Sequence, residues 1–255
     1  MGTSSIYNGK NDRNPLLPDD YMDEENNEDM KNTTVKWQTV KTNMSKFINS
    51  GGNSGSVSHI VKQYIKASGG SSRLASQSIS GISTGITLGT FLNGIRNSGF
   101  EITFKNLGIQ YIGKSVQDVF SQLINIISLA SDTKEDIVAK EAAQQALSKV
   151  YDYIEINEMN LEYLDSMSPA LMNEVLCEYV SSYIWTLIMK DLTSRFEIYI
   201  DNPKQTLSFE KEFKDYIAST VKIEFESEGD IINQGVSTSI SNLYEKCLKV
   251  LEGTL

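Results

Sequence analysis

The sequence predicts a mainly α-helical protein, with a multi-helix, bundle-like globular body over residues 33–255 behind a disordered acidic N-terminal tail over residues 1–32. Three observations carry that expectation. Apolar residues after position 33 recur at intervals of three and four. Glycine pairs and a Ser-Pro step fall where those runs begin and end. The first thirty residues hold eight acidic and two basic side chains among turn formers, a composition with too little apolar surface to fold. A sub-boundary is expected near residues 98–112.

The first helix is expected in "TTVKWQTVKTNMSKFINS", where Val35, Val40, Met44, Phe47 and Ile48 share a face and Gly51-Gly52 stops it. "SVSHIVKQYIKAS" repeats the logic with Val57, Ile60, Val61, Tyr64 and Ile65 before Gly69-Gly70. The single histidine, His59, has no second His or Cys near it and reads as a helix-surface residue. Residues 74–95 run twenty-two positions without a charge and contain Gly81, Gly85 and Gly89 as GxxxGxxxG. That motif packs membrane helices, yet seven Ser/Thr with Gln77 and Asn93 make the stretch too polar to span a bilayer. Close helix packing inside a globular core uses the same small-residue stripe, and that is the reading adopted.

"FEITF" at 100–104 is the one plausible strand. Asp132 and Glu135 suggest a capping box ahead of a stripe of Val138, Ala142, Ala146, Val150 and Ile154. Ser168-Pro169 opens a long helix whose apolar positions 172, 175, 176, 179, 180, 183, 184, 187 and 188 mark it as central and buried. Two amphipathic segments, about 206–226 and 231–252, complete the body. Cys177 and Cys247 lack CxxC partners and read as buried thiols of a cytoplasmic protein. No basic and apolar leader opens the chain.

Charge is segregated. Residues 31–110 carry nine basic side chains and one acidic, Glu101, whereas residues 111–255 carry twelve basic and twenty-four acidic. The basic segment could bind nucleic acid, or dock on the acidic C-terminal half or an acidic partner. It lacks an Arg cluster and stacking aromatics.

"GIQYIGKS" at 108–115 matches GxxxxGK[ST] through Gly108, Gly113, Lys114 and Ser115. A nucleotide-binding role for these residues is the alternative function. Against it stand the bulky Ile, Gln, Tyr and Ile inside the motif and the shortage of strands for a parallel sheet. The other reading is a loop anchored by Ile109, Tyr111 and Ile112 ahead of a helix. No other catalytic or metal-binding pattern is present, so neither an enzyme nor a cofactor is expected.

The head "MGTSS" offers a different chemistry. Removal of Met1 leaves Gly2 as an unhindered α-amine with a pKa of about 7.7–8.0, partly neutral and nucleophilic near neutrality. Myristoylation would want Ser or Thr at position 6, where Ile6 stands.

The head, the following "NPLLPDD", the acidic spacer, "WQTVKTNMSKFINSGG" and "HIVKQYIKASGG" together resemble the QatB family of the four-gene Qat anti-phage defence system of bacteria. The resemblance implies a cytoplasmic defence component whose partners are a QueC-like enzyme (QatC) and possible further contacts with an ATPase (QatA) and a TatD-like nuclease (QatD). QueC-like chemistry activates a carboxylated 7-deazaguanine for attack by an amine. By that resemblance Gly2 is the expected modification site, and Thr3, Ser4 and Ser5 are the residues the enzyme's channel would hold.

Overall fold

Helix α1 (Trp37–Asn49) and helix α2 (Val57–Ala67) begin and end close to their sequence signals. The computed structural model describes residues 35–128, 133–197, 203–229, 231–232 and 235–254, and among them all regular structure is helical. The tail, with Gly2, Thr3, Ser4 and Ser5, lies outside the described residues. α1 buries Val40, Met44, Phe47 and Ile48, and α2 buries all five of its periodic residues. Ser56 caps α2, its Oγ accepting from the His59 N–H at 3.2 Å.

Next come α3 (Ser71–Gln77) and α4 (Ile79–Ser98), broken from each other at Ser78, then α5 (Phe100–Leu107), α6 (Val116–Ile127) and α7 (Lys134–Ile156). A 3₁₀ segment (Leu161–Ser166) leads to α8 (Pro169–Glu197), followed by α9 (Pro203–Glu228) and α10 (Val236–Glu252). α8 is the central helix, with residues 181–188 all buried. It packs on α7, α9, α1 and α4, while α10 closes over α2, α3, α4 and α9. Ser168 opens α8 as expected, its Oγ accepting from the Leu171 N–H at 3.1 Å.

The glycine stripe of α4 is a packing surface. A Cβ on Gly81 would fall 2.0 Å from Tyr183 Cζ, one on Gly85 2.8 Å from Tyr179 Cε1, and one on Gly89 2.5 Å from Val236 Cγ1. Only glycine lets α4 approach the tyrosines of α8 and the start of α10 this closely. Among the described residues no helix is long and apolar enough to cross a membrane.

Three expectations are corrected. "FEITF" is not a strand but the body of α5. A strand would place Phe100, Ile102 and Phe104 on one face, whereas the structure buries Phe100, Thr103 and Phe104 and leaves Ile102 53% exposed. Gly99 (φ 82°) and Gly108 (φ 71°) punctuate the helix at its ends, and Phe91 and Phe100 hold the Phe104 ring. The capping box of α7 is Thr133 with Asp136, at 3.1 and 2.8 Å; Asp132 lies outside the described residues. Of the loop anchors, Ile109 is buried and Tyr111 packs on Phe100 and Phe104, but Ile112 is 85% exposed.

Three carboxylates hold helix starts. None of α3, α4 and α5 has a side-chain cap of its own. Glu252 Oε2 accepts from the Ser71 N–H at 3.0 Å, Glu135 Oε1 from the Ser80 N–H at 2.9 Å, and Asp165 Oδ1 from the Phe100 N–H at 2.6 Å. Each supplies an acceptor and negative charge to a helix N-terminus. Three helix starts in a segment with a single acid thus take their caps from the acidic half, whereas α2 is capped by its own Ser56.

Candidate functional site

The segment 108–115 is a helix–loop–helix link. α5 enters it where a phosphate loop needs a strand, because Gly108 terminates α5 in the left-handed region. Its backbone is already partly committed. The Gly108 N–H donates to Lys105 O, Ile109 N–H to Phe104 O, Gln110 N–H to Gln122 Oε1 and Lys114 N–H to Tyr111 O, at 2.9–3.3 Å. Ser115 is the N-cap of α6: its Oγ accepts from the Asp118 N–H at 3.1 Å and donates to Asp118 Oδ2 at 2.8 Å. The hydroxyl that would ligate a magnesium ion therefore has a structural partner, and that partner is an acid beside any phosphate. Gly113 (φ 72°) turns the loop and Lys114 is exposed after it.

His59 is exposed on α2, its ring Nε2 2.8 Å from Gln63 Nε2. The basic residues of 36–105 are spread over α1 to α5, and α2 and α3 pack on α10, which carries Glu245 and Glu252 as well as Lys246 and Lys249. There Ser72 Oγ donates to Glu245 at 2.9 Å, alongside the Glu252 cap.

A cleft of about 990 Å³ lies between α7, α8 and α9, with Lys149, Asn173, Cys177, Glu178, Lys222 and Glu226 on its walls. Lys149 of α7 pairs with Glu178 of α8 at 3.4 Å, and Lys222 pairs with Glu226 one turn along α9 at 3.9 Å. Burial pushes the Cys177 thiol up to about 11, and that of Cys247 to about 12, so both are protonated and unreactive near neutrality. Among the described residues no group of His, Cys, Asp or Glu is placed to hold a metal ion.

Sequence reasoning missed the most organised polar site in the body, which surrounds Glu135. Its Oε1 receives the Ser80 N–H, the Gly81 N–H at 3.4 Å and the Tyr183 hydroxyl at 3.1 Å. Tyr179 OH donates to Gly81 O at 2.6 Å, and the Tyr244 hydroxyl donates to Ser78 Oγ at 2.9 Å, whose own hydrogen goes to Leu74 O. Burial raises the pKa of Tyr179, Tyr183 and Tyr244. Neutral phenols bonded to a carboxylate and to backbone fix the junction of α4, α7, α8 and α10; their use is architectural. No signal in the sequence marks it, because Glu135 lies 55 residues from Ser80.

A family model described as Qat anti-phage system associated protein QatB matches residues 69–251. No curated protein and no solved structure matches the chain.

Proposed function

The chain belongs to the QatB family of the Qat anti-phage system, and from that membership we propose that it serves as protein substrate and binding partner of a QueC-like enzyme that modifies the Gly2 amine with a 7-deazaguanine. The observation that carries the reading is the head itself, Gly2-Thr3-Ser4-Ser5 ahead of seven carboxylates in residues 19–29. The head lies outside both the described residues and the stretch matched by the family model.

The chemistry asks little of the body. The partner activates the carboxyl group of the deazaguanine with ATP. The neutral Gly2 amine attacks that carbonyl carbon, an amide C–N bond forms, the activating group departs, and the amine proton passes to solvent. Glycine suits the step because it has no side chain to hinder attack, and its amine is partly deprotonated near pH 7.5. Thr3, Ser4 and Ser5 are small enough to follow it into a channel. The body then acts as a non-catalytic carrier in the cytoplasm, presenting the modified end to other components, the ATPase and the TatD-like nuclease among them. In support, three carboxylates and the buried phenols of the body are engaged in capping helices and joining them, as a scaffold would use them.

Intact mass, measured on protein purified alone and after co-expression with the QueC-like enzyme, tests the reading. A mass increase that maps to the Gly2 peptide is expected. Unmodified Gly2 in both samples overturns it.

A further inference from the structure

Helix α5 and the loop after it present an apolar groove to solvent. Its volume is about 600 Å³, and Ile102, Ile109, Tyr111 and Ile112 line it together with Glu101 and Lys105. Ile112 is 85% exposed at the loop tip and Ile102 is 53% exposed, which is costly surface unless something covers it. A projecting side chain and a hollow thus lie in one patch. The two charges stand one helical turn apart on the exposed side of α5, Glu101 first and Lys105 four residues on. Neither forms an ion pair among the described residues, although opposite charges at this spacing can pair along a helix.

We propose that this patch is the contact between two copies of the chain, related by a two-fold axis through the exposed side of α5. With the two α5 helices antiparallel, Glu101 of each copy lies opposite Lys105 of the other, so the pair forms twice. Ile112 of each copy enters the groove of the other, where Ile102, Ile109 and the Tyr111 ring cover it. The order of the charges selects this occupant. A wholly acidic or wholly basic partner would meet a like charge four residues from each favourable one. A patch that carries one acid and one base in sequence matches an antiparallel copy of itself, and a parallel copy would set acid on acid. The exposed Asn106 and Gln110 supply a polar rim. Few residues take part, so the association is reversible and depends on concentration. A two-fold contact closes at two copies and leaves no open surface for further growth. The contact does not depend on the chemistry proposed for Gly2.

Sedimentation velocity of the full chain, at protein concentrations from about 1 μM to about 1 mM, tests the contact. The unsubstituted chain should pass from one copy toward two over that range, and no further. Ile112→Asp carries a charge into the groove and should weaken association at least about tenfold. Glu101→Lys alone, or Lys105→Glu alone, sets like charges opposite each other at both ends of the contact and should weaken it about tenfold as well. The double variant Glu101→Lys/Lys105→Glu restores both pairs with their signs exchanged and should associate as the unsubstituted chain does. All three positions are exposed, so far-ultraviolet circular dichroism should be the same for every variant. A single copy at every concentration overturns the proposal, and so does growth beyond two copies. Association indifferent to Ile112→Asp overturns it by placing the contact on another face. A double variant as weak as either single one overturns the antiparallel arrangement and the proposal with it. The mass measurement on Gly2 reads covalent mass and not association, so the two proposals fail separately.

Discussion

Replacing Gly81 by alanine sets two effects of opposite sign against each other. Alanine is the better helix former, by at most about 1 kcal/mol over glycine, and less at the third position of α4. Against this, the new methyl carbon would lie 2.0, 2.4 and 2.5 Å from three atoms of the Tyr183 ring. The ring cannot step aside, because it stacks on Tyr179 at 6.2 Å, meets Tyr244 at 5.6 Å and donates its hydroxyl to Glu135. Overpacking of this kind costs about 1–3 kcal/mol, and displacing the phenol from a carboxylate costs about 1.5–3 kcal/mol more. The expected net loss is about 1.5–6 kcal/mol, a fall in Tm of about 10 °C near the middle of that range for a body of this size. Urea unfolding followed by circular dichroism at 222 nm measures it. The partner substitution supplies the control: Tyr183→Ala removes the ring, so Gly81→Ala added to it should cost at least about 1 kcal/mol less than it does alone. A Gly81→Ala protein as stable as the unsubstituted one would refute the argument that close approach, and not chance composition, explains the glycine stripe.

Three further outcomes are expected. Glu135→Ala strips three donors of their acceptor and should lose about 2–4 kcal/mol in urea unfolding, with Glu135→Gln losing less because its amide oxygen still accepts; equal losses would deny the capping role. Stability should fall at alkaline pH. Burial raises Cys177, Cys247, Tyr64, Tyr179, Tyr183 and Tyr244 above the ordinary 9.0 and 10.0 of thiol and phenol, so above those values the unfolded chain binds fewer protons than the folded one. Each group then costs about 1.4 kcal/mol per pH unit, and a urea midpoint unchanged between about pH 8 and pH 11 would contradict this. Lys114→Ala should leave both Tm and the response to added ATP unchanged, since the ammonium is exposed and the loop N–H groups are partly committed; an ATP-dependent rise in Tm that vanishes with the lysine would revive the nucleotide reading.

Helix existence, and the face each helix buries, were legible because periodicity is a local property of the chain. The stripes Val138–Ile154 in α7 and 172–188 in α8 are buried as their spacing demands. Short segments were not legible on the same terms. "FEITF" satisfies a period of two as well as it satisfies a helix, and only the rings of Phe91 and Tyr111, brought in by the fold, decide which residues turn inward. That decision also exposes Ile102 and so creates the groove beside Ile112. The caps of α3, α4 and α5 come from 181, 55 and 65 residues away, and the ring that requires Gly81 belongs to α8. No sequence pattern spans such distances, because an uncapped N–H states what it needs but not which carboxylate will reach it. The sequence by itself determined that this chain is helical and segregated in charge. Tertiary structure decided how the two charged halves join, since that depends on which distant side chains the packed core brings within hydrogen-bonding distance.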